Sequence, residues 1–243
     1  MKILSIDTAS NVCGVSILDD TRLVCKLDTN TGRTHSENLM PMIEDAFFKS
    51  NLSLKDINLI VCNVGPGSFT GIRIGIATVK AFNDSLAIAC VGVSSLESLA
   101  YNVKDNLKES EVVCSILDCK NDNCYFALYK KKNGTFETLI EPQAETIEST
   151  LAILKSYCKD NLEDVSISFV GDGSEIYQNQ IKETFISTKF ASQKLNVLDS
   201  YHLGLAGLEH YNSGCNFQEV LPLYLKKPQA QRQLEEKLNS SKK

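Results

Sequence analysis

The sequence predicts an α/β protein that is built from two halves with the same order of elements. Each half starts with three short strands separated by turn residues, continues with a helical segment, and then reaches a strand that ends at a glycine turn. The nearly continuous apolar run at residues 57–64 is typical of a strand buried on both faces. Because a glycine-rich segment and a helical pattern follow this run, a β-α-β unit is predicted there. We therefore expect two related lobes, each a mixed sheet with flanking helices.

The first lobe is predicted to comprise residues 1–104. Its strands are expected at residues 3–7, 13–18, 22–28, 57–64 and 87–91, and its helices at residues 34–50, 69–83 and from a cap at Ser94 or Ser95 to about Tyr101. Thr34 followed by Glu37 is the capping-box pattern for the first helix. Pro41 predicts a kink or a restart of that helix, because proline has no N–H to donate.

A charged and polar stretch at residues 104–111 predicts the boundary to a second lobe, residues 105–215. Its strands are expected at residues 112–117, 124–129, 135–140 and 166–170, with a glycine turn at 171–174 and helices at 147–158, 175–184 and 200–212. The last segment, residues 216–243, is expected to pack back on the first lobe and to end in a partly disordered tail.

The composition favours a cytoplasmic protein that does not bind nucleic acid by itself. The net charge is −5, whereas phosphate binding usually needs a basic face. No apolar run is long enough to span a membrane, and Asp7 interrupts the first apolar stretch too early for a signal peptide. The nine cysteines include no C-x-x-C pair, and Cys119 and Cys124 lack a second pair of ligands. Reduced, mostly buried cysteines are therefore predicted, and not a zinc site.

The segment GPGSFTGIRIG at residues 65–75 first suggests a phosphate-binding turn. Its glycines permit close backbone approach, and Ser68 can cap a helix whose free N–H groups could hold an anion. The spacing matches neither a Walker A loop nor the G-x-S-x-G nucleophile elbow. Gly67, Gly71 and Gly75 recur every four residues on one helical stripe. Such a stripe lets another element approach closely, within the same lobe or from another chain, and the spacing alone leaves both interpretations open.

Few other side chains have the spacing of a catalytic or metal site. His35, His202 and His210 form no H-E-x-x-H motif, so a zinc protease is disfavoured and ordinary helix or surface positions are expected. Asp7 and Asp118 each end the first strand of a half, where a carboxylate beside a glycine turn could hold Mg²⁺ in a phosphate site. The favoured interpretation is that these two acids cap the hairpins.

Five segments spread along the chain together resemble those of one family. They are IDTA at residues 6–9, HSENL at 35–39 followed by Pro41, the glycine segment 65–75, GVSSLE at 92–97 and PLYL at 222–225. This set resembles the TsaB, or YeaZ, family of bacterial tRNA threonylcarbamoyladenosine biosynthesis proteins, most densely over residues 1–101. Where that family often has Asp-Ala-Arg after the strand at 112–117, this chain has Asp-Cys-Lys at 118–120. No arginine function is therefore implied there.

The resemblance implies an actin-like ATPase fold of the ribonuclease H-like type, with two lobes. It further implies a non-catalytic scaffold subunit that forms a heterodimer with the catalytic subunit TsaD, is joined by the small ATPase TsaE, and forms a homodimer when alone. Such a complex transfers a threonylcarbamoyl group to the adenosine next to the anticodon of tRNAs that read codons beginning with A. The chain would meet tRNA only through the complex and bind no cofactor alone, while its partners use ATP and a metal ion.

The same resemblance argues against a catalytic metal in this chain. In the catalytic relative, two histidines of the corresponding helix bind the metal, and here Ser95 and Leu99 stand in their places. Serine does not replace an imidazole ligand, and leucine has no ligand atom. Asp199 could match a third ligand, but one carboxylate cannot form the site.

The resemblance also favours the interface interpretation of the glycine stripe, because first-lobe helices of this family pack against their counterparts in the partner. The predicted interface residues are small or apolar: Leu39, Met40, Ile43, Phe47, Gly67, Gly71 and Gly75.

Two rival functions are a glycoprotease-like peptidase, disfavoured by the missing metal ligands, and a degenerate nucleotide-binding ATPase module. The second would need both glycine turns and the acid pair to converge on nucleotide. The residues of this vestigial nucleotide cleft are Asp7, Thr8, Gly67, Ser68, Asp118, Gly171 and Gly173. Weak or no ATP binding by the isolated chain is expected.

Overall fold

A computed structural model describes residues 1–30, 34–161, 166–214 and 220–226. Within these ranges the strands are β1 (Lys2–Asp7), β2 (Cys13–Asp19), β3 (Arg22–Thr29), β4 (Leu59–Asn63), β5 (Ala89–Val93), β6 (Val112–Asp118), β7 (Asn123–Lys132), β8 (Thr135–Thr146), β9 (Ile167–Val170) and β10 (Thr188–Phe190). The helices are α1 (His35–Ser50), α2 (Phe69–Leu86), α3 (Ser95–Asn102), α4 (Ile147–Asn161), α5 (Asp172–Ile176), α6 (Gln178–Thr184) and α7 (Ser200–Asn212). No helix in these ranges is both long and apolar enough to cross a membrane.

The strands form two five-stranded sheets with equivalent topology. The first sheet has the order β3-β2-β1-β4-β5, and the second, taken from its corresponding edge, has the order β8-β7-β6-β9-β10. In each sheet the first three strands along the chain are antiparallel neighbours, and the two later strands run parallel to the first one. The prediction of two related mixed sheets with flanking helices is therefore confirmed.

Several element boundaries differ from the predicted ones. The expected turn at 171–174 is already helical, because Gly171 alone takes the positive φ of 102° and α5 begins at the next residue. The helix predicted at 175–184 is divided into α5 and α6, the strand expected at 135–140 continues to Thr146, and the short β10 was not predicted. Helix α1 runs through Pro41 without a break. Its buried face, formed by Leu39, Ile43 and Ala46, stabilises the helix against the loss of one hydrogen bond.

The sheets and helices stack in alternating layers. Helices α1 and α2 cover one face of the first sheet, where Ile43 and Val79 join the apolar core. Helix α7 covers the opposite face of that sheet, and α3 lies between α7 and the second sheet. Helices α4 and α6 close the far face of the second sheet through residues such as Leu154 and Ile181. One pair of helices is thus held between the two sheets.

The position of α7 corrects one prediction, since this helix was expected to complete the second lobe. Its Leu203 packs with Leu18 and Val61 of the first sheet. Gly207 permits this approach, because a Cβ atom on it would lie 2.3 Å from a Val61 methyl carbon. The periodicity of α7 predicts that it has an apolar face, but it carries no information about which sheet that face covers.

The described part of the C-terminal segment, residues 220–226, lies against the first lobe. The N–H of Leu223 donates to the carbonyl oxygen of Val64 at 2.8 Å, and Val220 is 7% exposed within the first core. The predicted disorder of the remaining tail concerns residues outside the described ranges.

Polar contacts fasten α7 to α3 between the sheets. The Nε2 atom of His210 lies 2.6 Å from a carboxylate oxygen of Glu97. Glu209, beside it, accepts hydrogen bonds from the Tyr101 hydroxyl and the Lys104 ammonium. The hydrogen bond to Glu97 raises the pKa of His210, although burial acts in the opposite direction. The protonated imidazole therefore stabilises the packing of α7.

We expect His210→Gln to destabilise the protein more at acidic than at alkaline pH. A raised histidine pKa contributes stability that is fully present below the unfolded pKa and is lost as pH rises through the folded pKa. Urea unfolding should show a loss of about 1–2 kcal/mol at about pH 5.5 and a smaller loss at about pH 9. An equal loss at both pH values would contradict the ion pair.

Candidate functional site

The hairpin turns that follow β1 and β6 face each other across a cleft between the lobes. The cleft has a volume of about 450 Å³ and is lined by residues 9–11 and 66–68 on one side and by residues 117–120 with Asp172 on the other. Of the predicted cleft residues, three line it: Gly67, Ser68 and Asp118. The other four do not: Asp7 and Thr8 are buried, and Gly171 and Gly173 pack against Ile116. Three of the seven residues predicted for the cleft therefore line it, and four lie outside it.

The two strand-end acids have equivalent positions in the two lobes. The Oδ1 atom of Asp7 accepts the N–H of Ala9 at 3.0 Å, and the Oδ1 atom of Asp118 accepts the N–H of Lys120 at 3.2 Å. Each carboxylate thus closes the turn two residues further on, as aspartates do in Asx turns. The hairpin-capping interpretation of these acids is confirmed.

Asp7 belongs to a buried polar network beneath the cleft. Its second carboxylate oxygen accepts a hydrogen bond of 2.8 Å from the side-chain amide of Asn63. The carbonyl oxygen of that amide accepts the Gly65 N–H and the Ser95 hydroxyl, both at 2.8 Å. Burial raises the pKa of Asp7 to about 6, and the hydrogen bonds from Ala9 and Asn63 limit the rise. Asn63 therefore supplies the buried carboxylate with a second donor besides the Ala9 N–H.

The cleft fits poorly to the phosphates of a nucleotide. The N–H of Ser68, a candidate phosphate donor, is already bonded to the carbonyl oxygen of Ala9 at 2.7 Å. The opposite wall presents the carboxylates of Asp118 and Asp172. Lys120 lies 3.6 Å from Asp118 and partly neutralises one of them. A phosphate here would be repelled by two carboxylates and attracted by Lys120 and by Lys226, whose Nζ atom lies 3.0 Å from the sulphur of the lining residue Cys119.

The residues compared with metal-binding histidines are not arranged as ligands. Ser95 is buried and donates to Asn63, and Leu99 is fully buried in the core between α3 and the second sheet. Asp199 caps α7 and forms an ion pair of 2.5 Å with Lys26. Among the described residues, no group of three or more histidine, cysteine or acidic side chains is placed to hold a metal ion. These side chains do not fit the metal of the catalytic relative.

Gly71 and Gly75 of α2 are buried inside the first lobe, which corrects their predicted place in an interface, whereas Gly67 precedes α2 and is exposed at the cleft. A Cβ atom would lie 2.2 Å from the carbonyl oxygen of Ala9 if added to Gly67, and 2.0 Å from that of Thr8 if added to Gly71. On Gly75 it would lie 2.5 Å from the Thr8 hydroxyl. The hydroxyl of Thr8 also donates to the carbonyl oxygen of Gly71 at 2.8 Å. The stripe therefore lets α2 pack on the end of β1.

The apolar stripe predicted for the interface on α1 is also mostly internal. Leu39 and Ile43 are 1% and 2% exposed and belong to the core under α1, and Phe47 packs against the same core. These residues are corrected from interface to core, because a helix first buries its apolar face against its own sheet. Met40 is the exception, since 43% of its surface is exposed.

A different face of the same helices points outward. We define the outer helix face by the exposed residues of α1 and α2 at four-residue spacing: Met40, Glu44 and Phe48 on α1, and Arg73, Ala77 and Ala81 on α2. Phe48 is 87% exposed, which is unusual for a large aromatic side chain. Sequence reasoning missed it because Phe48 lies off the Leu39–Ile43 stripe, although its spacing from Met40 and Glu44 was a usable signal.

One arginine at this face is held by aromatic rings. The guanidinium carbon of Arg73 lies 3.8 Å from the ring centre of Phe69. Phe69 in turn stacks on Tyr224 of the C-terminal segment, with 4.7 Å between the ring centres. The Nε–H of Arg73 donates to the Tyr224 hydroxyl at 2.7 Å.

Two sheets of equal topology with facing turns across a cleft define a two-lobed fold of the actin-like ATPase type. The ROK hexokinase from Thermus thermophilus shares this fold with a TM-score of 0.55 at 11% identity, covering 88% of this chain and all of that one. The family model described as "TsaD: tRNA N6-adenosine threonylcarbamoyltransferase" matches residues 29–234.

The similarity to individual proteins is more specific. The tRNA threonylcarbamoyladenosine biosynthesis protein TsaB of Bacillus subtilis (strain 168) is 30% identical over 185 residues, which cover 75% of this chain and 76% of that protein. The structure of YeaZ from Pseudomonas aeruginosa has a TM-score of 0.72 at 21% identity, covering 92% of this chain and 99% of that one. The chain belongs to the TsaB (YeaZ) family, and the predicted resemblance is confirmed.

Proposed function

We propose that this chain is a non-catalytic subunit of a cytoplasmic complex that makes threonylcarbamoyladenosine next to the anticodon of tRNAs reading codons that begin with A. Relatives named for threonylcarbamoyladenosine biosynthesis support the process. The match to a family model described as TsaD supports a TsaD-type catalytic subunit as the partner in a heterodimer. A TsaE-type ATPase completes the proposed complex, and the chain forms a homodimer when the partner is absent.

The observation that carries this proposal is the outer helix face. Phe48 and Met40 expose apolar surface on α1, and the exposed residues Ala77 and Ala81 of the adjacent helix α2 have small side chains. Large apolar side chains beside small ones are complementary to a helix of another protein. Burying the Phe48 ring in such an interface would contribute about 2 kcal/mol. We therefore propose the outer helix face as the surface that binds the TsaD-type subunit.

The assignment of chemistry to the partners rests on the two sites already described. Ser95 and Leu99 are buried and offer no metal ligands, and the cleft opposes phosphates with Asp118 and Asp172. We accordingly propose that the partner subunits use the ATP and the metal ion, and that the chain meets tRNA only within the complex. The described residues provide no support for the peptidase or ATPase alternatives.

We expect Phe48→Asp to raise the Kd for the TsaD-type subunit of the same organism by about 100-fold or more, because it buries a charge at the proposed contact. Isothermal titration calorimetry measures this change. Since Phe48 is 87% exposed, the Tm of the Phe48→Asp variant should stay within about 2 °C of the wild-type Tm. The tRNA threonylcarbamoylation rate of the reconstituted complex should fall in parallel.

Ile186→Asp is a matched control, because Ile186 is a fully exposed apolar side chain of the second lobe. It should leave both partner binding and tRNA modification unchanged. Normal binding by Phe48→Asp would place the interface on another surface. Modification activity of the isolated chain without its partners would refute the non-catalytic assignment.

A further inference from the structure

We propose that Arg73 is the polar anchor of the outer helix face and binds a carboxylate side chain of the partner protein. This inference rests on the proposed function and adds a specific contact to it. The C-terminal segment, residues 220–226, takes part by holding the arginine in place through Tyr224.

Three contacts fix the guanidinium before any partner binds. The guanidinium carbon lies 3.8 Å from the centre of the Phe69 ring, and the Nε–H donates a hydrogen bond of 2.7 Å to the Tyr224 hydroxyl. The Tyr224 ring, 5.7 Å from the guanidinium carbon, completes the aromatic support. An exposed arginine normally loses much side-chain entropy on binding, and prior immobilisation reduces that loss. Arg73 is therefore pre-organised.

The functional end of the arginine remains available. Only Nε is engaged in a hydrogen bond within the part of the chain that the structure describes, which leaves the two terminal nitrogens as donors. Those two groups form the fork that binds a carboxylate through two parallel hydrogen bonds. Because Arg73 is exposed on α2, one helical turn before Ala77, the fork lies at the end of the small-residue stripe.

The surrounding charges favour a protein carboxylate over a nucleic-acid phosphate. The exposed residues one turn from Arg73 on α2, Thr70 and Ala77, are neutral, the second cation of α2 is the part-exposed Lys80 two turns away, and Glu44 on the α1 side of the outer helix face is acidic. Nucleic-acid binding usually combines several cations along one surface. A single held arginine beside apolar surface is typical of an anchor in a protein interface.

The C-terminal segment is positioned well enough to serve as a support. Val220 is buried in the first core, and the N–H of Leu223 extends the backbone contacts to Val64. Tyr224 follows directly, and Lys226 reaches the second lobe, where its Nζ lies 3.0 Å from the Cys119 sulphur. The segment is thus fixed on both sides of Tyr224.

The test measures the Kd between the full-length chain and the TsaD-type subunit by isothermal titration calorimetry. Arg73→Ala should weaken binding by roughly 30-fold or more, and Arg73→Lys nearly as much, because lysine lacks the planar fork. Tyr224→Phe keeps the ring stacked but removes the hydroxyl, so a roughly three- to tenfold loss is expected. The binding of Arg73→Ala should also depend less on salt than that of the wild type.

Arg22→Ala is the matched control, since it removes another exposed arginine, at the start of β3. It should bind like the wild type. Wild-type binding by Arg73→Ala would overturn this inference while leaving the proposed function intact. Unchanged protein binding combined with weaker tRNA binding by the complex would overturn it in favour of a phosphate contact. Absence of binding by the wild-type chain would refute the proposed function and this inference with it.

Discussion

Gly71→Ala is expected to lower the free energy of unfolding by about 3 kcal/mol or more, although alanine is the better helix former. The added Cβ atom would lie 2.0 Å from the carbonyl oxygen of Thr8 and 2.9 Å from the ring of His35. The first neighbour is backbone and cannot rotate away, so α2 would have to move off the end of β1. The helix-propensity gain of about 1 kcal/mol is too small to offset this repulsion. Urea unfolding followed by circular dichroism measures the result.

Ala77→Gly is the control, because it replaces alanine by glycine on the exposed side of the same helix. It should cost about 1 kcal/mol through helix propensity alone. If Gly71→Ala were as stable as the wild type, the packing of α2 against Thr8 would be wrong. Substitutions at Gly71 are therefore unsuitable for mapping a partner interface, because loss of binding would follow from loss of structure.

Asn63→Ala is expected to destabilise the protein by about 3–4 kcal/mol at neutral pH. The substitution leaves the Gly65 N–H and the Ser95 hydroxyl without their acceptor, and it leaves Asp7 with the Ala9 N–H as its remaining donor. Since the pKa of Asp7 is about 6, the folded wild-type protein holds a largely neutral carboxyl group well below that pH. The loss should therefore be smaller at about pH 4.5 than at about pH 8, which urea unfolding at the two pH values can measure.

The double variant Asp7→Asn with Asn63→Asp tests whether the hydrogen-bond pattern stabilises this site, because it keeps one carboxylate and one amide but exchanges their positions. In the double variant, the new amide at position 7 can donate to the new carboxylate at position 63, and that carboxylate can accept from Gly65 and Ser95. Asp7→Asn alone places two side-chain amides against each other, and Asn63→Asp alone places two carboxylates against each other. We expect the double variant to be more stable than either single one. Additive losses would show that the hydrogen-bond pattern is not what stabilises this site.

Local structure was largely predictable because its signals lie close together in the sequence. The capping box of α1 forms as Thr34 and Glu37 predict, and Ser68 caps α2 by accepting the Gly71 N–H at 3.2 Å. The repeated strand order follows from the hairpins and the β-α-β unit, which both depend on neighbouring residues.

Most residues predicted for the interface lie on the inner side of the helices for a physical reason, and Met40 and Gly67 are the exposed exceptions. An apolar stripe such as Leu39 and Ile43 identifies a buried face, and the nearest surface to bury it is the sheet of the same lobe. Four-residue glycine spacing likewise indicates close approach without naming the neighbour. The contact of Arg73 with Tyr224 joins residues 151 positions apart, and neither residue type signals the other in a single sequence.

The packing of α7 on the first sheet also sets the order in which the protein can be completed during synthesis. Residues 1–104 alone would leave one face of that sheet, including Leu18 and Val61, without the helix that covers it. The covering residues of α7 and the supporting segment at 220–226 follow every strand of the second sheet along the chain, so they leave the ribosome after it. The first lobe therefore reaches its native packing only after the second lobe has been made. Folding must wait for contacts between distant parts of the chain, which slows it and exposes apolar surface in the meantime.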